Sequence, residues 1–199
     1  MSTRGLYGFR KDGEDKLTYN HCDSYPEWLG RNILEFCSKH SRKEMEELFA
    51  KIVLVAENCV PSTEQIAVCK AFGLYDGDVG TRDEKDWYCL LRNMQGDLEA
   101  VKKMADATGT AFMTNNNSFI YDSLFCEYAY IINLDSGVLE LWRGFQTEQQ
   151  EGSRYVVGSG GLDGYYPCKL IGEIPLDTIT NVEDVLPRME GMYQRGDKE

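Results

Sequence analysis

A run of polar side chains between residues 20 and 25 is the part of the sequence best suited to chemistry. Five functional groups fall within these six positions, at the end of a predicted strand and just before a predicted helix. Loops that leave a rigid sheet concentrate binding and catalytic side chains, and the first amides of a helix can face an anion. His21 with Asp23 could form an acid–base pair, or the whole group could bind a small polar ligand.

A purely structural role explains the same residues. Asp23 or Ser24 would cap the helix, and Asn20 and His21 would hydrogen-bond the turn. Arg4, on the preceding strand, could join the group if its side chain points toward it; besides Arg10, no other nearby guanidinium is evident. We assign no catalytic residue, and both interpretations stay open. The candidate ligand-binding residues are Arg4, Asn20, His21, Asp23, Ser24 and Tyr25.

Two further patterns predict no site. Removal of the initiator Met would leave the free amine of Ser2 beside its hydroxyl, as in N-terminal nucleophile hydrolases, but an ordinary chain start is favoured. The glycine-rich stretch 158–161 precedes a strand, whereas a phosphate-binding loop opens a helix. We therefore interpret it as a loop.

The cysteines indicate neither a metal site nor a disulfide framework. The chain has seven, with no C-x-x-C pair, and only two histidines. A zinc site usually draws its ligands in closely spaced pairs. The first residues show neither a basic nor an apolar leader segment, so we expect free thiols in a reducing, cytoplasmic compartment, with no metal and no cofactor.

The charge balance limits the classes of partner that the chain is expected to bind. The chain carries 33 acidic and 21 basic side chains, a net charge of −12 at pH 7. Such a field repels phosphate backbones and anionic lipid heads. We predict no direct nucleic-acid binding and no membrane segment, since no stretch approaches the roughly 20 apolar residues that span a bilayer. The acidic surface could meet a basic protein partner, or serve solubility alone.

The spacing of the hydrophobic residues predicts the secondary-structure elements. Alternation in the first 20 residues around Asp12-Gly13 predicts a hairpin, and a second hairpin is predicted around Asp135-Ser136-Gly137. Residues from about 26 to 106 are predicted to form a helical block, with one helix running through Ile52 and Val55. A polar connection follows over Thr108–Asp122.

The last third of the chain ends in a strand and a helix. Lys169–Leu176 is the predicted strand, and Thr180–Tyr193 is the predicted helix, with a break or a fresh helix start expected at Pro187. The sequence therefore predicts an α+β fold: an antiparallel sheet built from N-terminal and C-terminal hairpins, with the helical block inserted between them, in a single domain over residues 1–199.

Several short motifs carry a resemblance. The opening has Thr3-Arg4-Gly5, Tyr19-Asn20-His21 and Asp23-Ser24-Tyr25-Pro26; the second hairpin has Glu127-Tyr128-Ala129-Tyr130, Asn133-Leu134-Asp135 and Gly144-Phe145. Together they resemble a family of uncharacterised proteins from bacteriophages and from bacterial genomes that carry prophages. The resemblance covers the hairpins and the strand after Tyr166. The resemblance implies that the protein acts in a bacterial host cell, and it implies no particular activity. The chain departs from the family pattern at Cys22, where the resemblance implies an aromatic residue.

Two functions follow as hypotheses. The first is a non-enzymatic, acidic interaction protein, a phage-type accessory factor that binds a host protein. The alternative is a small-ligand-binding protein or hydrolase with its site at Asn20–Tyr25. Recognition through an acidic face would weaken steeply with salt, whereas a site at residues 20–25 would depend on His21 and Asp23. The oligomeric state stays open.

Overall fold

A computed structural model describes residues 3–158 and 161–196. Ser2 and part of the glycine-rich stretch, Ser159 and Gly160, lie outside the described residues. The strands are β1 (Gly5–Lys11), β2 (Glu14–Asn20), β3 (Ile52–Val55), β4 (Ala111–Thr114), β5 (Tyr128–Asn133), β6 (Val138–Arg143) and β7 (Lys169–Pro175). The α-helices are α1 (Arg31–Lys39), α2 (Arg42–Lys51), α3 (Thr63–Ala71), α4 (Trp87–Leu90), α5 (Leu98–Thr108) and α6 (Val182–Gly196).

Five strands form the main sheet, in the order β2-β1-β5-β6-β7. Three of the four pairings are antiparallel, and β1 with β5 is parallel. The parallel pairing arises because a long insertion, rather than a tight turn, connects the first hairpin to the second. The predicted α+β class is confirmed, with N- and C-terminal strands in one mostly antiparallel sheet. The single-domain organisation stays a prediction.

Both faces of the main sheet are covered. Tyr7 and Phe9 of β1 pack with the helices on one face, while Leu6 packs into a smaller apolar layer on the other. On β5, Tyr130 lies in the first layer and Ala129 in the second. Apolar residues on both faces suit a central strand, and β5 is the third of five.

The inserted block is less uniformly helical than predicted. Capping boxes at Ser41 and Ser62 open α2 and α3. However, α2 ends at Lys51, and Ile52–Val55 forms β3, which pairs in parallel with β4. The four residues of β3 are β-branched or apolar, and such a run fits a strand as well as a helix. The predicted helical continuation through Val55 is therefore wrong.

The predicted polar connection over Thr108–Asp122 is wrong in part, because it contains the mostly buried strand β4. The residues that follow β4 cover an edge of the main sheet. Strand β2 lies at the edge, and two asparagines hydrogen-bond its outer backbone groups. Leu17 N donates to Asn117 Oδ1 (2.8 Å), and Asn117 Nδ2 donates to Asp15 O (2.7 Å). Tyr19 N donates to Asn116 Oδ1 (3.2 Å). These side chains replace a neighbouring strand and protect the edge from pairing with another chain.

The last helix is continuous, so the break predicted at Pro187 is wrong. Proline stands inside α6, on its exposed side, and the carbonyl that loses its partner belongs to the exposed Glu183. Water can solvate that carbonyl, which limits the cost of the missing hydrogen bond. In the part of the chain that the structure describes, no helix is long and apolar enough to cross a membrane.

Replacement of Asn117 tests the edge cover. Asn117→Ala removes an acceptor and a donor that satisfy β2, and we expect the free energy of unfolding to fall by about 1–3 kcal/mol, measured by urea denaturation. Ser118→Ala is the matched control, because Ser118 is exposed on the same turn. Equal stability of the two variants would show that water replaces the asparagine without loss.

Candidate functional site

A buried serine organises the segment between β2 and the first helical turn. Ser24 is fully buried. Its N–H donates to Thr3 O (3.2 Å), its Oγ accepts from Asn20 Nδ2 (2.8 Å), and its carbonyl accepts from the Tyr130 hydroxyl (3.0 Å). At Gly5, a Cβ would lie 2.6 Å from Ser24 Cβ, so only glycine fits there. The side chains of Asn20 and Ser24 are thus buried and hydrogen-bonded to each other inside the protein.

The remaining residues of this segment lie outside, on different sides. Asp23 is exposed, with a left-handed backbone (φ 53°). The Tyr25 ring lies 5.9 Å from that of Tyr128, whereas His21 Nδ1 lies 3.2 Å from the Tyr19 hydroxyl. The structure therefore does not gather the candidate residues around one pocket.

The helical turn that follows begins without the predicted cap. Pro26 does stand at the start of a π-helical turn, Pro26–Gly30, which runs into α1. The N-cap position belongs to Tyr25, which makes no side-chain capping bond. The prediction that Asp23 or Ser24 caps the helix is therefore wrong. Ser24 is buried, and one more residue separates it from the first residue of the helical turn.

His21 forms one wall of a shallow groove of about 470 Å³. We name it the His21 groove. It lies between the end of β2, the turn after β4 and the segment that leads into α4. Its lining residues are Tyr19, His21, Glu57, Val79, Arg82, Tyr88, Asn116 and Phe119. Of the sequence candidates, only His21 lines it.

Two arginines of the inserted block surround one tyrosine at this groove. The guanidinium carbons of Arg82 and Arg92 lie 5.2 and 5.4 Å from the centre of the Tyr88 ring. Arg92 also donates to the Tyr88 hydroxyl (2.9 Å). The sequence names Arg4 and Arg10 as the nearby guanidiniums, but Arg10 pairs with Asp15 (2.7 Å). Arg82 and Arg92 stand far along the chain, so no local spacing could reveal them.

The electrostatics do not support acid–base chemistry at residues 20–25. Burial lowers the pKa of His21, and the positive charges of Arg92 and Arg4 lower it further. Pairing with Asp23 would have raised it. Burial, with the nearby Asp23 carboxylate, raises the pKa of the Cys22 thiol, which disfavours the reactive thiolate.

On the other side of the segment, aromatic rings lie around a single arginine. The Arg143 guanidinium lies over the rings of Tyr128 (4.5 Å) and Phe145 (5.5 Å). Tyr25 lies against the same Tyr128 ring (5.9 Å between ring centres). We call this surface the aromatic–arginine patch. It consists of Tyr25, Tyr128, Arg143 and Phe145. Arg4 lies apart from it, over the Phe125 ring (5.2 Å), and its charge adds to the effect of burial in lowering the pKa of His21.

Phe145 stands out within this patch. Its backbone is left-handed (φ 59°), a conformation that bulky residues rarely adopt, yet its side chain is 45% exposed. Phe145 N donates to Ser123 O (2.7 Å), and Gly144 N donates to Glu127 O (3.0 Å). The fold thus exposes a large apolar ring to solvent on a strained backbone. Its only sequence signal is its place in the Gly144-Phe145 motif.

The described residues contain no group of three or more His, Cys, Asp or Glu side chains that could hold a metal ion. Comparison of the chain with protein-family models, with curated proteins and with solved structures finds no match. The resemblance to phage and prophage proteins therefore stays a prediction.

The environment of His21 can be measured by titration of its ring protons by NMR. We expect a pKa below the ordinary value of about 6.5, and an upward shift in Arg92→Met, since loss of a positive neighbour favours the charged imidazole. His40→Gln assigns the two histidine signals, and Arg188→Met, an exposed arginine of α6, is the matched control. An unshifted His21 in Arg92→Met would contradict the placement of that guanidinium.

Proposed function

We propose that the chain is a non-enzymatic binding protein that recognises a protein partner through the aromatic–arginine patch. The observation that carries this proposal is the exposure of Tyr25 and Phe145, whose rings lie on either side of the contact between Arg143 and Tyr128. Exposed apolar groups that lie together mark interaction surfaces more often than single ones do.

The composition of the patch favours a protein over a small ligand. Aromatic residues and arginine are enriched in protein interfaces and dominate their binding energy. The patch lies at the ends of β5 and β6, beside the start of the helical turn Pro26–Gly30. The strain at Phe145 adds support, because conformations of this kind persist where a function uses them.

The net charge adds a second prediction about the partner. If the acidic surface, with its net charge of −12, also contributes, the association rate will fall steeply with salt. Recognition through the aromatic rings alone will depend on salt only weakly. A phage-type accessory factor acting on a host protein in the bacterial cytoplasm is a proposal consistent with this function, and it rests on the resemblance alone.

The alternative, a hydrolase or ligand-binding site at Asn20–Tyr25, has less support. Asn20 and Ser24 are buried and hydrogen-bonded to each other. The raised pKa of the Cys22 thiol disfavours its ionised form. His21 and Asp23 remain accessible, so His21→Ala and Asp23→Ala should leave partner binding unchanged if the patch is the binding surface.

Replacement of Phe145 by glycine tests the proposal. Phe145→Gly removes the exposed ring and relieves the left-handed strain, which costs a non-glycine residue about 1–2 kcal/mol. We expect the free energy of unfolding to stay constant or rise. The same variant should lose affinity for the partner by about tenfold or more, as for an interface hot spot.

The partner would first be identified by affinity capture from the cells that encode the chain, then purified and titrated calorimetrically. Val60→Ala is the control, because Val60 is an apolar side chain that is 76% exposed in the loop between β3 and α3. A folded Phe145→Gly variant that binds as tightly as Val60→Ala would exclude the patch as the binding surface. Capture of no specific protein would contradict protein binding itself.

A further inference from the structure

The His21 groove has the size and the walls of a small-molecule site. Its volume of about 470 Å³ lies within the range of roughly 300–1,000 Å³ that ligand pockets occupy. Tyr19 and Phe119 line it from two separate elements, and their half-buried rings lie 5.3 Å apart between ring centres. Partly exposed rings at the wall of a groove favour a planar ligand, which can stack against them.

The charges at the groove balance each other. Among the described residues that line it, Glu57 and Arg82 are the charged ones. Arg82 lies 3.7 Å from Glu57 and 3.7 Å from Asp86, so these carboxylates offset its positive charge. Burial lowers the pKa of His21, so its ring is uncharged at neutral pH. The groove therefore favours an uncharged ligand over an anion.

A chain of hydrogen bonds holds one carboxylate at the wall of the groove. Asn116 Oδ1 accepts from Tyr19 N (3.2 Å) and from the Thr114 hydroxyl (2.7 Å), which fixes the orientation of this amide. Asn116 Nδ2 then donates to Glu57 Oε1 (3.2 Å). A carboxylate accepts about four hydrogen bonds, and the 3.7 Å separation from Arg82 is longer than one. Glu57 thus keeps acceptor capacity for a ligand, and its position is fixed before the ligand binds.

A carboxylate beside aromatic rings selects a ring system that carries N–H donors. The two oxygens of a carboxylate lie side by side and accept two parallel N–H groups, as they do from a guanidinium. Guanine presents such a pair on one edge, its ring N–H and its amino group. Adenine presents a ring acceptor beside its amino group, and a carboxylate repels that acceptor.

We infer that the His21 groove binds an uncharged heterocycle of the guanine type, with its plane against Tyr19 and Phe119 and its paired N–H donors on Glu57. The net charge of −12 opposes the phosphates of a nucleotide or of a nucleic acid, so the ligand is the nucleoside or the free base. This inference goes beyond recognition of a protein through the aromatic–arginine patch, and the two sites share no residue.

Titration of the full chain with nucleosides, followed by the NMR signals of the two histidine rings, tests the inference. Guanosine should shift the His21 signals saturably and leave those of His40 constant, because His40 lies at the end of α1 against Glu99 (2.9 Å). Inosine lacks the amino group and adenosine presents the ring acceptor, so each should bind at least about tenfold more weakly. Equal affinity for guanosine and adenosine, or no saturable shift of His21, would overturn the inference.

A fourth probe separates the nucleoside from the nucleotide. Guanosine 5′-monophosphate should bind no more tightly than guanosine, because the charges at the groove are already balanced. Tighter binding of the monophosphate would overturn the preference for an uncharged ligand.

Two variants place the ligand. Glu57→Gln keeps the shape of the side chain but leaves one acceptor oxygen, so guanosine affinity should fall about tenfold while adenosine affinity does not fall. Glu47→Gln, at an exposed glutamate of α2, is the matched control. Phe119→Leu removes a ring and should weaken the binding of guanosine and adenosine alike, and it supplies a second test if Glu57→Gln proves unstable. Guanosine affinity in either variant equal to that in Glu47→Gln would overturn the inference.

Discussion

The junction around Ser24 is the contact on which the rest of the structure depends. Three hydrogen bonds converge on this fully buried residue, and they come from the chain before β1, the end of β2 and the central strand β5. Since buried polar groups are costly unless paired, the three segments can reach their positions only together. Tyr7 provides the matching link to the insertion: its hydroxyl donates to Met94 O (2.9 Å) and accepts from Gly96 N (2.8 Å).

The same junction separates two surfaces. Because Asn20 and Ser24 point inward, His21 and Tyr25 emerge on opposite sides of the segment, one toward the His21 groove and the other toward the aromatic–arginine patch. The polar residues that suggest a catalytic site in this segment therefore mostly stabilise the fold. Their neighbours make contacts with residues that the chain supplies much later, such as Gln95 and Tyr128, and these contacts create the surfaces that can bind.

Local patterns in the sequence predict the strands and helix starts well, because alternation and capping act between residues a few positions apart. They predict β3 and the course of α6 poorly: a short apolar run suits two conformations, and the cost of Pro187 depends on whether its surroundings are exposed. The site illustrates the same limit. Arg82, Arg92 and Phe145 acquire their significance from tertiary contacts and backbone strain, which single-sequence periodicity does not encode.

The pairing of β1 between β2 and β5 has a consequence for biosynthesis. A ribosome releases the first hairpin well before the central strand, so Leu6, Tyr7 and Phe9 remain uncovered on the nascent chain while the whole insertion is translated. Contacts between distant positions form slowly because a long loop must close first. The emerging hairpin therefore exposes these apolar side chains for as long as the insertion takes to be synthesised, although every one of them is fully buried in the folded chain.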